Sequence, residues 1–187
     1  VQDDSYLKLF DAIKTRHHDA IKALGIDELA PVLSRDFDAV AEVLRGIRIT
    51  KTASERNIEF VSGHGEVWSA QMIGALFNKQ STPAVYVDAR EVIVVKPQER
   101  NVSVQWPESQ KKMDALLTGV PVGAMLAITG FVASTVDGVA TTLKRNGSDF
   151  SASIFGALLD AAEITIWTDV DGVLSADPRL VPEAKIL

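Results

Sequence analysis

Segments with helical periodicity alternate along this sequence with short runs of β-branched and apolar residues, and this alternation constrains the fold more than any other feature. Residues 5–24 carry apolar side chains at steps of three and four, and the spacing recurs over 37–47. Runs at 84–88, 91–95 and 124–131 have the composition of strands, the last of them buried and central. The alternation predicts an α/β domain with a mainly parallel sheet, helices on both faces, and ligands at the carboxyl ends of the strands.

Boundaries of the predicted elements follow from capping and turn residues. Ser34 or Asp36 is expected to cap the second helix, and a loop at 63–65 to lead into a third helix that ends near Asn78. The remaining predicted segments are an exposed loop at 96–110, a helix at 149–162 and a strand at 163–168.

Composition and charge limit the function classes. The 187 residues are 47% hydrophobic and 24% charged, which fits one globular domain. The net charge of -6 gives no basic excess for nucleic acid, and the apolar run at 120–133 is too short to span a membrane. Without cysteine there is no disulfide or thiolate chemistry, and without an initial methionine we expect the chain to begin within a longer protein.

The segment 141–149 joins two cations, a glycine and hydroxyl groups just before a predicted helix. A guanidinium and free helix amides bind anions well, so Arg145 and Ser148 are candidate ligands for a carboxylate or phosphate. The alternative is structural: Ser148 or Asp149 caps the helix, and Lys144 and Arg145 form a solvated pair.

Two further segments have both a functional and a structural interpretation. In the run 167–172, Asp169 and Asp171 follow a predicted strand and could position Mg²⁺, or simply form a turn. In the segment 62–66, Glu66 could bind an ammonium group, or it complements a helix dipole beside a loop histidine. His17 and His18 point about 100° apart on a helix, so no metal is assigned to them.

Four segments together resemble aspartate kinases in order and spacing: Gly-His-Gly-Glu at 63–66, Thr-Gly-Phe at 129–131, the segment 141–149 and the run 167–179. The resemblance covers nearly the whole chain and is strongest to the kinase half of bifunctional aspartate kinase–homoserine dehydrogenases. It implies the amino acid kinase fold, incomplete at both ends, with residues 1–187 forming the central part of the catalytic domain.

The resemblance implies transfer of the ATP γ-phosphoryl group, with Mg²⁺, to the side-chain carboxylate of L-aspartate. This reaction opens lysine, threonine and methionine synthesis, and the parent is expected to be a cytoplasmic homo-oligomer. Glu66 would hold the substrate ammonium, Arg145 would clamp a carboxylate, and Asp149 would orient catalytic lysines. The other implied contacts are Asn146, Gly147 and Ser148 in the substrate loop, and Thr168, Asp169, Leu174 and Arg179 at the nucleotide.

Departures from the family pattern predict that this chain is impaired alone. It lacks the family's opening Lys-Phe-Gly-Gly-Thr and its later Gly-Ala-Lys segment. Lys144 and Asn146 occupy positions where many monofunctional members have glycine, and Leu174 replaces a frequent tyrosine, which would weaken nucleotide binding by about 1 kcal/mol. The alternatives are an amino acid kinase acting on glutamate, carbamate or a nucleotide monophosphate, and a non-catalytic folding or assembly fragment.

Overall fold

Three long helices precede a region in which strands and shorter helices alternate. The computed structural model describes residues 5–99, 101–167, 172, 174–177 and 180–185. The helices are α1 (Ser5–Leu24), α2 (Ala30–Thr50), α3 (Glu55–Lys79), α4 (Ala89–Val92), α5 (Trp106–Leu117) and α6 (Gly147–Leu158). The strands are β1 (Ala84–Val87), β2 (Val94–Pro97), β3 (Val102–Val104), β4 (Met125–Ile128), β5 (Val132–Thr135) and β6 (Ala140–Thr142).

The strands form one parallel pair and, separately, a four-stranded sheet with a parallel pair at its centre. β1 pairs with β4, and after the short helix α4 the chain continues into β2, which pairs with β5. β3 and β6 join the second pair antiparallel, in the order β3-β2-β5-β6. Thr129 connects the two regions, because its hydroxyl accepts a hydrogen bond from Ala89 N at 2.7 Å. The α/β class is confirmed. Within the described residues the β1–β4 sheet is parallel, and the four-stranded sheet is mixed, with one parallel and two antiparallel pairings.

Helices cover both faces of the strands. Along β1, Tyr86 packs against the cluster built from α1, α2 and α3, whereas Val85 and Val87 pack against the cluster that includes α5 and α6 residues. This is the alternation that a strand buried on two faces requires. On β4, Ala127 lies against Gly74 of α3, where an added β-carbon would be 3.4 Å from the Ala127 side chain.

Helix α3 runs without interruption through the segment predicted to be a loop. The predicted break at 63–65 is wrong, because Gly63, His64 and Gly65 all lie in the interior of α3. Glycine weakens a helix by about 1 kcal/mol, but here packing overrides that preference. A β-carbon at Gly63 would lie 2.7 Å from Cγ1 of Val132, so only glycine lets α3 approach β5 this closely.

Several predicted boundaries also need correction. The second helix begins at Ala30, with a proline in its first turn, so Ser34 and Asp36 are interior residues and not caps. The predicted strand at 91–95 is half helix, because the Asp88 side chain accepts from Arg90 N and caps α4.

The predicted loop at 96–110 contains β3 and the start of α5. Met113 of α5 is fully buried, and the Ser109 hydroxyl accepts from Val94 N at 3.0 Å. These contacts tie α5 to β2. The predicted helix at 149–162 is confirmed with a shift of its ends to Gly147–Leu158.

Of two further predicted strands, one is shorter in the structure and the other is not a strand. Within 124–131 only Met125–Ile128 is a strand, and in the described chain it pairs with β1 alone, so its predicted central position is not observed. Residues 163–167 are not a strand, and Trp167 is 92% exposed. Thr168 lies outside the described residues. None of the helices in the described ranges is both long enough and apolar enough to cross a membrane.

Candidate functional site

A cavity of about 330 Å³ opens where the loop after β6 meets the start of α6 and the middle of α3. It brings together the six residues predicted for the substrate side of the site. They are Glu66, Arg145, Asn146, Gly147, Ser148 and Asp149. Ser62, Phe131 and Lys144 complete the wall. All three lie in segments that the sequence singles out, although none of them was predicted as a site residue.

The loop that presents Arg145 has an unusual backbone. Lys144 and Asn146 both have left-handed conformations, with φ of 63° and 58°, and Arg145 lies exposed between them. Non-glycine residues adopt this conformation at a cost, although asparagine tolerates it better than most. The conformation gives a physical reason why glycine suits both positions, as the family pattern suggested.

The start of helix α6 lines the cavity and has no side-chain cap. The Asn146 side chain makes no capping hydrogen bond, so the first N–H groups of α6 are not satisfied by that cap. Amides at a helix start carry partial positive charge, and with the Arg145 guanidinium they form a site suited to an anion. The predicted alternative that Ser148 or Asp149 caps the helix is wrong, because Asn146 is at the N-cap position and both residues lie inside α6. Anion binding by the segment 141–149 stays a prediction.

Ser151 fixes this helix start against β5. Its hydroxyl donates to Gly147 O at 2.7 Å and accepts from Phe131 N at 2.8 Å. Gly147 is packed so closely that an added β-carbon would lie 2.7 Å from Cδ2 of Phe131. Ser151 is buried, and its role becomes visible only once α6 is placed next to the turn before β5.

Glu66 faces the same cavity from the opposite side. It is half-buried in the middle of α3, so the alternative that it complements a helix dipole at a helix start is wrong. A second opening of about 140 Å³ lies beside it, lined in part by Ala70, Ile73 and Gly130. Glu66 is thus an anionic group in a partly apolar setting, across from the Arg145 loop.

His64, two residues earlier, belongs to the helical core and not to the cavity. Its Nδ1 donates to Phe60 O at 2.6 Å, and its ring packs against Phe60 and Trp68. Burial lowers the pKa of His64 below its ordinary value, although the hydrogen bond to Phe60 opposes the shift. The description of His64 as a loop histidine is therefore wrong.

Lys144 is not a free cation. Its ammonium group donates to Glu55 Oε1 at 2.6 Å and also to Glu59 Oε1. Burial opposes the charged form of Lys144, but the hydrogen bonds to both glutamates outweigh it and raise the pKa. Of the two adjacent cations in this loop, Arg145 is the one exposed toward the cavity.

Only one of the residues predicted to contact the nucleotide lies within the described residues. Thr168, Asp169 and Arg179 lie outside the described residues, as does Asp171. Leu174 lies within the described residues and is half-buried. The next residue, Ser175, donates its N–H to Lys185 O at 2.8 Å. Leu174 does not line the cavity. In the described part of the chain, no group of three or more acidic or histidine side chains is arranged to hold a metal.

The sequence profile of the amino acid kinase family matches residues 6–187, nearly the entire chain. The chain belongs to the amino acid kinase family. One similar protein is the chloroplastic bifunctional aspartokinase/homoserine dehydrogenase 1 of Zea mays. It is 46% identical over 191 residues, and the match covers all of this chain and 21% of the maize protein. The bifunctional aspartokinase/homoserine dehydrogenase 2 of Escherichia coli strain K12 is 45% identical over 129 residues, or 68% of this chain and 15% of that protein.

The fold of this family member also matches a solved structure. Aspartokinase III of E. coli, in complex with aspartate and ADP, superimposes with a TM-score of 0.83 at 23% identity, over 97% of this chain and 40% of that one. The amino acid kinase fold predicted from the sequence is thereby confirmed. The chain spans about a fifth of the length of the maize relative.

Proposed function

We propose that this chain is the central part of an aspartate kinase catalytic domain. In the complete protein, the domain transfers the γ-phosphoryl group of ATP to the side-chain carboxylate of L-aspartate, giving 4-phospho-L-aspartate for lysine, threonine and methionine synthesis. The observation that carries the proposal is the pairing of opposite charges across one cavity. Glu66 stands on α3, and Arg145 with the α6 amides stands opposite.

This charge arrangement fits an amino dicarboxylic acid. The Glu66 carboxylate is placed to accept hydrogen bonds from a substrate ammonium group, and the Arg145 guanidinium can hold a carboxylate through two parallel hydrogen bonds. Asn146, Gly147 and Ser148 form the loop and first helical turn around the same anion. A cavity of about 330 Å³ is ample for a molecule of this size.

Phosphoryl transfer depends on aligning two anionic reactants and neutralising their charge. We propose ATP as the phosphoryl donor together with Mg²⁺, which neutralises phosphate charge when bound. By family resemblance, Thr168, Asp169, Leu174 and Arg179 contact the nucleotide, and Asp149 at the cavity orients lysines that belong to the parent protein. Arg145 and Glu66 hold aspartate so that its side-chain carboxylate faces the nucleotide.

The proposal extends to the parent protein, for which the bifunctional relatives are the best guide. We infer a homo-oligomeric parent that acts in the cytoplasm or, like the maize relative, in the chloroplast. The flanking reading frame tests its identity. Lys-Phe-Gly-Gly-Thr upstream and Gly-Ala-Lys downstream are expected, and a later dinucleotide-binding fingerprint would identify the bifunctional form.

Activity is tested by measuring aspartate-dependent ADP production by the complete protein and by the 187-residue chain. We expect turnover by the complete protein and little or none by the chain alone. Glutamate, carbamate and nucleotide monophosphates are run in parallel as alternative acceptors. Turnover with one of these but not with aspartate would reject the proposal, and normal turnover by the chain alone would reject its impairment.

A further inference from the structure

One ion-pair network joins the two sides of the cavity without belonging to the residues assigned to the substrate. Lys144 Nζ donates to Glu55 Oε1 at 2.6 Å and to Glu59 Oε1. Thr141 Oγ1 donates to Glu59 Oε2 at 2.8 Å. Glu59 therefore uses both carboxylate oxygens, one to hold the end of β6 and the other to hold the loop that follows it.

The two glutamates of this network differ strongly in burial. The Glu59 side chain is 11% exposed and that of Lys144 27%, whereas the Glu55 side chain is 78% exposed. Hydrogen bonding by Lys144 lowers the pKa of Glu55, and the pKa of Lys144 is raised, so these groups are ionised at neutral pH. Exposed ion pairs contribute little, so Glu59 is the partner expected to hold Lys144 in place.

The network lies beside the two residues that are predicted to bind the substrate, Glu66 and Arg145. Glu59 and Glu66 are two turns apart on one face of α3, and Lys144 and Arg145 are neighbours in the loop. Lys144 has a φ of 63°, which a lysine does not adopt without compensation. The contact with Glu59 supplies that compensation and fixes where the loop stands relative to α3.

We propose that Glu59 and Lys144 are positioning residues, which set the spacing between Glu66 and Arg145 and so determine the affinity for the amino dicarboxylic substrate. The proposal rests on the proposed function, because it assigns the substrate's ammonium group to Glu66 and a substrate carboxylate to Arg145. Glu59 and Lys144 act through those residues and not on the reacting atoms.

The test is steady-state kinetics of the complete protein with four variants: Glu59→Gln, Lys144→Gly, the double variant of both, and Glu55→Gln as a matched control. Glycine adopts the backbone conformation of residue 144 freely, so Lys144→Gly removes the ion pair without straining the loop. Circular dichroism and thermal melting check that each variant is folded. If Glu59→Gln does not fold, Lys144→Gly carries the test alone.

Glu59→Gln and Lys144→Gly are each expected to raise KM for aspartate about tenfold, as loss of a charged hydrogen bond would, with kcat and KM for ATP within about twofold of wild type. The double variant should be no worse than the worse single variant, because both remove one interaction. Glu55→Gln should change KM less than about twofold. Unchanged KM in Lys144→Gly, a loss confined to kcat, or additive effects in the double variant would overturn the proposal. If the wild-type protein does not phosphorylate aspartate, the proposed function itself fails.

Discussion

Gly130 lies so close to Ser148 that a β-carbon added at Gly130 would stand 3.3 Å from both Cβ and Oγ of the Ser148 side chain. Gly130 follows β4, and Ser148 is in the first turn of α6. The turn after β4 is therefore in direct contact with the helix start that borders the cavity. Side-chain volume at residue 130 should control the position of that helix start.

Enlarging Gly130 is expected to weaken aspartate binding. Gly130→Ala should lower the affinity a fewfold, and Gly130→Val should lower it more, because each displaces Ser148 from the cavity wall. Isothermal titration of the complete protein with aspartate measures the effect. Gly46→Ala is the matched control, because nothing lies within 4 Å of a β-carbon there and binding should not change. Equal affinity in Gly130→Val and wild type would contradict the prediction.

Two glycines of α3 should respond oppositely to the same substitution. Gly63→Ala places a methyl group 2.7 Å from Cγ1 of Val132, and such overpacking should reduce the free energy of unfolding by about 1 to 3 kcal/mol. Gly65→Ala meets nothing within 4 Å and should raise it by up to about 1 kcal/mol through helix propensity. Urea unfolding of the 187-residue chain compares the two directly. Stabilisation by both variants would show that α3 and β5 are not packed as described.

Arg145 should be the main determinant of carboxylate binding. Arg145→Gln removes the charge and the two-pronged donor, so the Kd for aspartate should rise about 10- to 100-fold, while ATP binding remains near the wild-type value. Titration of the complete protein with each ligand measures both. Arg45→Gln is a suitable control, since Arg45 is 68% exposed and lies 3.9 Å from Glu42 on α2. An equal loss of ATP and aspartate affinity would indicate damage to the whole site.

His64 should make the chain less stable in mild acid. Burial lowers its pKa in the folded state below the ordinary value of 6.5, so the unfolded chain binds a proton more readily than the folded chain. The free energy of unfolding should therefore fall as the pH drops below about 6.5, by at most about 1.4 kcal/mol per pH unit, and level off below the folded pKa.

Urea unfolding of wild type and His64→Gln at pH 7.5 and pH 5.5 isolates this contribution. The difference in unfolding free energy between the two pH values should be smaller in His64→Gln than in wild type. His18→Gln serves as the control for the substitution itself, since it makes the same change at an exposed position. An identical pH dependence in wild type and His64→Gln would remove His64 as its source.

Local sequence patterns predicted which residues line the cavity better than they predicted the elements that carry those residues. Arg145, Gly147 and Ser148 stand together on one loop and helix start, so their grouping needs only short-range information. Glu66 lines the same cavity, but it lies inside α3 and not after the loop that Gly63 and Gly65 suggested, and its role stays a prediction. The packing of Gly63 against Val132 involves a distant strand, which the sequence around residue 63 does not reveal.

The same holds for the fold: elements set by local sequence were predicted, and contacts between distant residues were not. The apolar period of α1 predicted its range, since the helix has one buried stripe. Helix α5 was not predicted, because residues 96–110 were expected to form an exposed loop. The proline in its first turn is compatible with a helix start. The partners of Lys144 could not be predicted, because Glu55 and Glu59 belong to a helix far earlier in the chain.

The contacts that join α3 to β6 and to the loop after it involve residues remote from one another in the chain. Thr141 and Glu59 are 82 residues apart, and Lys144 and Glu59 are 85 apart. Contacts of such separation require a large loop to close before they form, so they are expected late in folding. Aspartate would consequently bind only chains in which α3 has docked on β6, and its binding would report completed folding as well as the presence of the site.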